Sequence, residues 1–327
     1  MTPDSWRPGA TLDTLRRRAV LLQAIRDFFA ARDVLEVETP VLGHAGSTEL
    51  HLDALSLDAR TPAGRERLWL QTSPEYHMKR LLAVGSGPIF QLARVFRDGE
   101  SGRRHNLEFT MLEWYRPGWT LAALIEEVAA LVGEVTGRSQ VPLRKRPYRE
   151  LFVEHLGVDP LIDSAESLAA LRQLAARHGG AQSADWSRDD CCDLLMSLVI
   201  EPELGQGGPE AVIDYPASQA SLARRQVDAQ GAEVAARFEL YLDGVELANG
   251  FDELTDAAEQ RARFDEDNAR RRQLGLDPVA PDEALLAALA HGMPPACGVA
   301  LGADRLIMLA LGLDSLEESL AFDTLRC

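Results

Sequence analysis

Arg97 closes an apolar, β-prone run from Ile89 to Phe96. A loop from Asp98 to Asn106, rich in glycine and charge, follows it, and apolar residues resume from Phe109 to Tyr115. This pattern predicts a β-hairpin. Alternation on the returning strand places Phe109, Met111, Glu113 and Tyr115 on one face, and Glu108, Thr110, Leu112 and Trp114 on the other. One face therefore offers a ring for stacking, a carboxylate and a phenol. The planar fork of Arg97 suits a two-point grip on a phosphate or a carboxylate. Taken alone, the same residues also describe a solvated hairpin with a charged tip, and two further segments favour a site.

The first is RFELYLDGVELANGF, Arg237 to Phe251, where Asp243-Gly244 between apolar runs signals a two-residue hairpin turn. With Leu242 opposite Val245, Tyr241 faces Glu246 and Glu239 faces Ala248. Glu239 and Glu246 become diagonal neighbours on one face, spaced to share a divalent cation such as the Mg²⁺ of a nucleotide. Strict alternation sends Asn249 to the opposite face, so a ligand role for it requires a bulge or twist near Gly250. The second is GVALGADRLIMLALG, Gly298 to Gly312, an apolar run that ends at Gly302 and passes into a helix with Leu306, Leu309 and Ala310 at helical spacing. Arg305 then lies in the first helical turn. A cation there is mildly unfavourable unless an anion visits, and the free N–H groups of the turn add to its pull on a terminal phosphate.

These segments, in this order, resemble motifs 2 and 3 of the class II aminoacyl-tRNA synthetases with the acidic hairpin between them. The helix from about Leu12 to Arg32 followed by VLEVETPVL resembles motif 1, QTSPEYHMKRLL an amino-acid-binding segment, and DYPASQASLA the stretch before the acidic hairpin. The resemblance is nearest to the lysyl-tRNA synthetase catalytic core, and nearer still to its short relatives that use ATP to attach β-lysine to a lysine of elongation factor P. It implies an α+β catalytic core, an antiparallel sheet flanked by helices, occupying residues 1–327 as a single domain with a mainly helical insertion at about 120–210. It also implies a homodimer built on motif 1. Composition gives only an amphipathic helix with Leu15, Ala19, Leu22, Ile25 and Phe29 on one side.

On the family pattern Arg97 and Arg305 are catalytic, contacting the α-phosphate with the amino-acid carboxylate and the γ-phosphate, respectively. Phe109 stacks on adenine, and Gly99, Glu100, Arg104, His105, Asn106, Glu246, Leu247 and Gly302 line the ATP site. Glu239 and Glu246 hold Mg²⁺. Lysine or β-lysine is implied to lie among Ser73, Glu75, Glu113, Tyr115, Asn249, Glu253 and Ala300. Ser73-Pro74-Glu75 also reads as an N-cap, a first-turn proline and a dipole-complementing acid. Three positions depart from the synthetase pattern. Gly99-Glu100 replaces the usual glutamate two residues after the arginine, which is displaced to Glu100 or absent. Leu107 stands in place of proline, and Ala300 in place of a glycine, adding a methyl at the pocket floor consistent with a β-amino acid.

The net charge of -17 over 327 residues opposes a polyanionic partner, so tRNA is not the expected substrate. Motif 1 begins near the N-terminus, without room before it for an anticodon-reading barrel. Basic clusters at Arg16 to Arg18, Arg144 to Arg149 and Arg270 to Arg272 read either as solvated faces or as a docking patch for an acidic protein. There is no apolar run of membrane-spanning length and no secretory signal, which gives a cytoplasmic expectation. Cys191, Cys192, Cys297 and Cys327 lack paired C-x-x-C spacing and read as core or incidental thiols. Helices are expected near Thr120 to Thr136, Ser164 to His178 and Arg188 to Glu201, with another apolar helix around Ala284 to Ala290.

Overall fold

Strands at Ile89–Phe96 and Glu108–Pro117 form the expected hairpin, with Phe96 opposite Glu108 and Ile89 opposite Tyr115. The computed structural model describes residues 6–50, 52–179 and 186–327, which fall into two compact units. The first holds residues up to Trp119, Val135–Gly137 and everything from Leu254 onward; the second holds Thr120–Glu134 and Arg138–Glu253.

In the first unit the hairpin is central. Ala296–Gly302 pairs antiparallel with Glu108–Pro117, and the short Leu35–Glu36 strand lies parallel to Ile89–Phe96 on the other edge. The helix Leu12–Ala30 begins at Thr11, whose hydroxyl caps the Thr14 amide. It covers the sheet face carrying Trp114 and Phe90. Phe29 stacks on Phe90 at 4.5 Å between centroids and meets Trp114 edge-on at 5.2 Å. The opposite face, bearing Phe109, Met111, Glu113 and Tyr115, is thereby left to the site. The helix's buried side differs from the expected stripe. It runs through Arg18, Ile25, Phe28 and Phe29, whereas Ala19 is exposed. The helix is turned to accept an arginine, for which a buried acid supplies the reason given below. A separate three-stranded sheet, Leu42–Gly43, Gly64–Leu70 and Ser56–Thr61, was not legible in its polar sequence.

In the second unit Glu233–Leu242 pairs antiparallel with Val245–Asp252 on one side and Glu210–Pro216 on the other, and Arg144–Pro147 runs parallel beyond them. Helices Leu121–Thr136, Ala165–Gly179 and Arg188–Leu195 match expectation in place. The last is shorter than expected: a capping box at Ser187 and Asp190 starts it, and a π turn, Met196–Ile200, and a 3₁₀ turn containing Pro202 finish it. The core gathers Tyr148, Phe152, Leu171, Cys191, Cys192 and Tyr215. Burial pushes the Cys192 thiol up to about 12, so it behaves as an apolar core side chain.

The Arg144 to Arg149 cluster is engaged inside its own unit, and of Arg270 to Arg272 only the middle residue is, the other two being exposed. Arg144, Lys145, Arg146 and Arg149 pair with Glu210, Glu126, Glu154 and Asp159. Arg271 is buried and donates to the carbonyls of Glu49 and Asp277. Arg16 and Arg17 remain exposed, but Arg18 does not.

Candidate active site

Arg97 sits at the joint between strand and loop. Its amide donates to the Leu107 carbonyl at 3.0 Å, and its guanidinium lies 5.2 Å from the Phe109 ring centroid and 3.4 Å from Glu100. Its Nε is buried without a hydrogen-bond partner. A buried donor of this kind calls for an acceptor, which a phosphate or carboxylate oxygen beside Phe109 would supply. Gly99 has φ 76°, a left-handed conformation suited to glycine, and its amide is turned to Asp98 Oδ1 at 2.9 Å. Glu100, the next residue, supplies a carboxylate to the Arg97 fork.

The rest of the loop is bound to Arg305 and to the C-terminal segment. Arg305 Nε donates to the Arg104 carbonyl at 3.1 Å, and Arg305 Nη2 lies 2.6 Å from His105 Nε2. A guanidinium only donates, so Nε2 accepts and the ring hydrogen is on Nδ1. Loss of water around the ring, followed by the Arg305 cation, lowers the His105 pKa. Asn106 spans the loop base. Its Oδ1 accepts from the Thr324 amide at 3.0 Å and hydroxyl at 2.8 Å, and its Nδ2 donates to the Glu108 carbonyl at 2.7 Å. Arg103 is held by Asp314 and by the Leu316 amide. The sequence offered no sign of this C-terminal buttress, because it joins residues about two hundred positions apart.

On the site face Glu113 is 2% exposed and accepts from the Tyr115 hydroxyl at 2.6 Å. Ala300 lies directly across from Glu113 in one neighbouring strand and Gln91 in the other, while Gly302 faces Met111. Gln91 is a residue that sequence reasoning missed: it is buried, and its carbonyl accepts from Thr39 at 3.0 Å. Glu75 forms a 2.6 Å ion pair with buried Lys79. Ser73 takes the Glu75 amide at 3.4 Å, but the helix starts at Glu75 with Pro74 at the cap position. The expected N-cap assignment is therefore one residue too early.

The second unit holds the acidic hairpin. Asp243 and Gly244 have φ 51° and 67°, the left-handed pair that a two-residue turn of this kind demands. Leu242 faces Val245 and Tyr241 faces Glu246 as expected, but Glu239 faces Asn249 instead of Ala248. An extra residue on the returning strand, a bulge at Leu247, shifts the register. The bulge lies nearer the turn than the expected position by Gly250. It brings Asn249 onto the face of Glu239 and Glu246, and Leu247 and Ala248 are both buried in succession.

Glu239 is held by three partners. Its Oε2 accepts from Tyr215 at 2.6 Å and Tyr241 at 2.5 Å, and its Oε1 pairs with Arg237. Arg237 also donates to Asn249 Oδ1 at 3.1 Å and the Gln219 carbonyl at 3.0 Å, and lies 4.6 Å over the Tyr215 ring. Burial, then the Glu239 charge, raises both phenol pKa values well above the usual tyrosine range. Burial opposes the Arg237 charge, and Glu239 with its neighbours reverses this and raises its pKa. Of roughly four lone-pair sites on a carboxylate, this leaves one on Glu239. That lone pair and Glu246 fit a divalent cation whose other ligands are phosphate oxygens and water. Among the described residues no three His, Cys, Asp or Glu gather to hold a metal by themselves. Glu253 is 1% exposed just past the hairpin, so it is neither a solvated nor a helix-terminal charge.

The sequence profile of the class II tRNA synthetases (D, K and N) matches residues 5–326. Among curated proteins the chain is similar to the elongation factor P–(R)-β-lysine ligase of Mannheimia succiniciproducens, 47% identical over 98% of this chain and 97% of that one. The ligases of the same name from Pseudoalteromonas translucida and Vibrio cholerae are each 48% identical, covering 100% of both chains in the first case and 98% of both in the second. Matches of this depth over the full length of each protein place the chain in the class II (D, K and N) tRNA synthetase family and, within it, in the group of elongation factor P–(R)-β-lysine ligases.

Proposed function

We propose that this chain activates (R)-β-lysine, or lysine, with ATP and transfers it to a lysine side chain of elongation factor P. The observation that carries the reading is the single face holding Phe109, Glu113 and Tyr115, with Arg97 over the Phe109 ring and Ala300 across from Glu113. It combines an anion grip and a stacking ring with a buried carboxylate suited to a substrate ammonium. The near-full-length similarity to the named ligases supports the same choice.

In the first step a substrate carboxylate oxygen attacks the α-phosphorus, the α–β P–O bond breaks and pyrophosphate leaves. Arg97 orients both anions and offsets charge developing at phosphorus. Phe109 holds the adenine, and Arg305 leaves His105 and the Arg104 carbonyl for the γ-phosphate. Glu239 and Glu246 would hold Mg²⁺, which when bound would supply charge neutralisation to the phosphates. Glu113, Tyr115, Asn249 and Glu253 select the diamino substrate, with Ser73 and Glu75 at its second amino group. In the second step the deprotonated amine of the acceptor lysine attacks the acyl carbon, AMP departs and an amide forms. Ala300 adds one methyl where a smaller residue favours the α-amino acid, a bias of about 1–3 kcal/mol.

The enzyme works on this reading as a cytoplasmic homodimer. Leu12, Val20 and Leu35 are 65%, 68% and 58% exposed on and beside the first helix, an apolar surface suited to a second copy. No helix among the described residues is long and apolar enough to cross a membrane. Intact-mass measurement of elongation factor P after incubation with enzyme, ATP and either amino acid tests the proposal. The expected adduct is one lysyl residue, larger in yield with (R)-β-lysine. An unmodified factor alongside efficient charging of purified tRNA would overturn it.

A further inference from the structure

The first helix carries Arg18 on its buried side, where the residue is only 9% exposed. Arg18 Nη2 donates to Thr110 Oγ1 at 3.3 Å and pairs with Asp304 Oδ1, while Nη1 is buried without a partner. Asp304 is 1% exposed in the first turn of the Ala303–Leu311 helix, immediately before Arg305. Its second oxygen accepts the Thr110 amide at 2.8 Å.

The strand ladder explains why this contact matters. Ala296–Gly302 pairs with Glu108–Pro117 only as far as Gly302 opposite Met111, because the chain then turns into the helix. Beyond Met111 the amide of Thr110 has lost its strand partner on that side, and the Asp304 carboxylate replaces it. Thr110 immediately follows Phe109, and Asp304 immediately precedes Arg305. One carboxylate therefore ties together the residues proposed to hold the two ends of ATP. A carboxylate this buried needs a cation, and Arg18 supplies it from the far side of the sheet.

We infer that Arg18 and Asp304 are positioning residues for ATP: they fix the separation of Phe109 and Arg305 without touching the nucleotide. This inference rests on the ATP site proposed above. It assigns a role to the first helix within a single chain, separate from any dimer contact. An Arg18 that only filled space would be replaceable by an apolar side chain with no preference among substrates.

The test is binding of a non-hydrolysable ATP analogue by titration calorimetry, together with lysine-dependent pyrophosphate exchange, on the full chain. Arg18→Met is expected to weaken the analogue by about 10- to 100-fold, the cost of a small misplacement. The KM for lysine should stay within about twofold, a split that general loss of stability does not produce. Arg18→Lys should fall between wild type and Arg18→Met. The double variant Arg18→Met/Asp304→Asn should recover most of the affinity, since an amide still accepts from Thr110 and leaves no buried charge. Should Arg18→Met fail to fold, Arg18→Lys and the double variant decide. Unchanged ATP affinity in Arg18→Lys, or no recovery in the double variant, would overturn the inference. A wild type that binds no analogue would instead count against the proposed ATP site itself.

Discussion

Two charged clusters, one in each unit, treat charge in opposite ways. In the second unit Glu239 is a buried anion met by two phenols and a guanidinium, all on sheet strands or packed against them. In the first unit Arg97 and Arg305 are half-buried cations resting on a loop, one with an orphaned Nε and the other on a histidine ring and a carbonyl. The anionic half is largely satisfied before any ligand arrives. On the proposed function the cationic half exchanges its contacts for phosphate. Preorganisation and exchangeability thus fall on different elements, the first on strands and the second on a loop beside a helix start.

The contrast is broken most directly at Arg237. Arg237→Met leaves Glu239 buried without its cation and is expected to destabilise the second unit by about 3–5 kcal/mol, measured by urea denaturation. A loss below about 1 kcal/mol would mean that solvent reaches Glu239 and that the hub is not preorganised. The same substitution at Arg305 should behave in the reverse sense. Arg305→Met is expected to change stability by no more than about 0.5 kcal/mol. It should lower pyrophosphate exchange by about 10²–10³-fold, the usual loss when one preorganised donor to a reacting group is removed. Equal effects of the two variants on stability would erase the distinction.

The cationic half was the more legible in sequence. Ile89–Phe96 has the expected limits, and strict alternation gave the shared face of Phe109, Glu113 and Tyr115, because a strand's period of two is local information. The anionic half was read correctly at its turn and then lost by one residue. The bulge falls at Leu247, an apolar side chain with none of the glycine signal that marks many bulges, so strict alternation misplaces Asn249 and the bulge it calls for lies nearer the turn than expected. Tyr215, which completes the Glu239 hub, comes from a strand whose neighbours are set by long-range pairing. Arg18 was placed in a basic cluster because charge is ordinarily solvated on a helix. Only the position of Asp304 in space reveals that it is buried.

A gentler perturbation sharpens how the loop is held. Thr324→Val removes the 2.8 Å hydroxyl bond to Asn106 while its amide contact remains. The expected cost is about 0.5–1.5 kcal/mol of local loop stability. Trypsin should then cut faster at exposed Arg103 or Arg104, while the melting temperature of the whole chain stays nearly constant. Unchanged cleavage would show that the Thr324 hydroxyl adds nothing to the loop's other restraints.

Acid titration separates the two halves at the smallest scale. Partial loss of water and then the Arg305 cation lower the folded-state pKa of His105, so the folded protein binds fewer protons there than the unfolded chain. The stabilising contribution is complete above about pH 6.5, the ordinary histidine value, and is lost as pH falls through the lowered folded value. Protonation turns Nε2 from an acceptor into a donor and ends its contact with Arg305. The exposed setting screens the effect, and the observable is the titration midpoint of the His105 ring followed by NMR. Wild type should titrate below the ordinary histidine value, and Arg305→Met should raise the midpoint by removing the cation. A bound ATP analogue should raise it as well, because Arg305 turns to phosphate and negative charge enters the loop. The Glu239 phenols, held well above their usual pKa, should show no change in ultraviolet absorbance over the same acid range. A His105 midpoint that ignores both Arg305→Met and the analogue would mean that the loop does not exchange its contacts for phosphate, and the division between a fixed anionic half and a yielding cationic half would fail at the residue where it is most exposed to test.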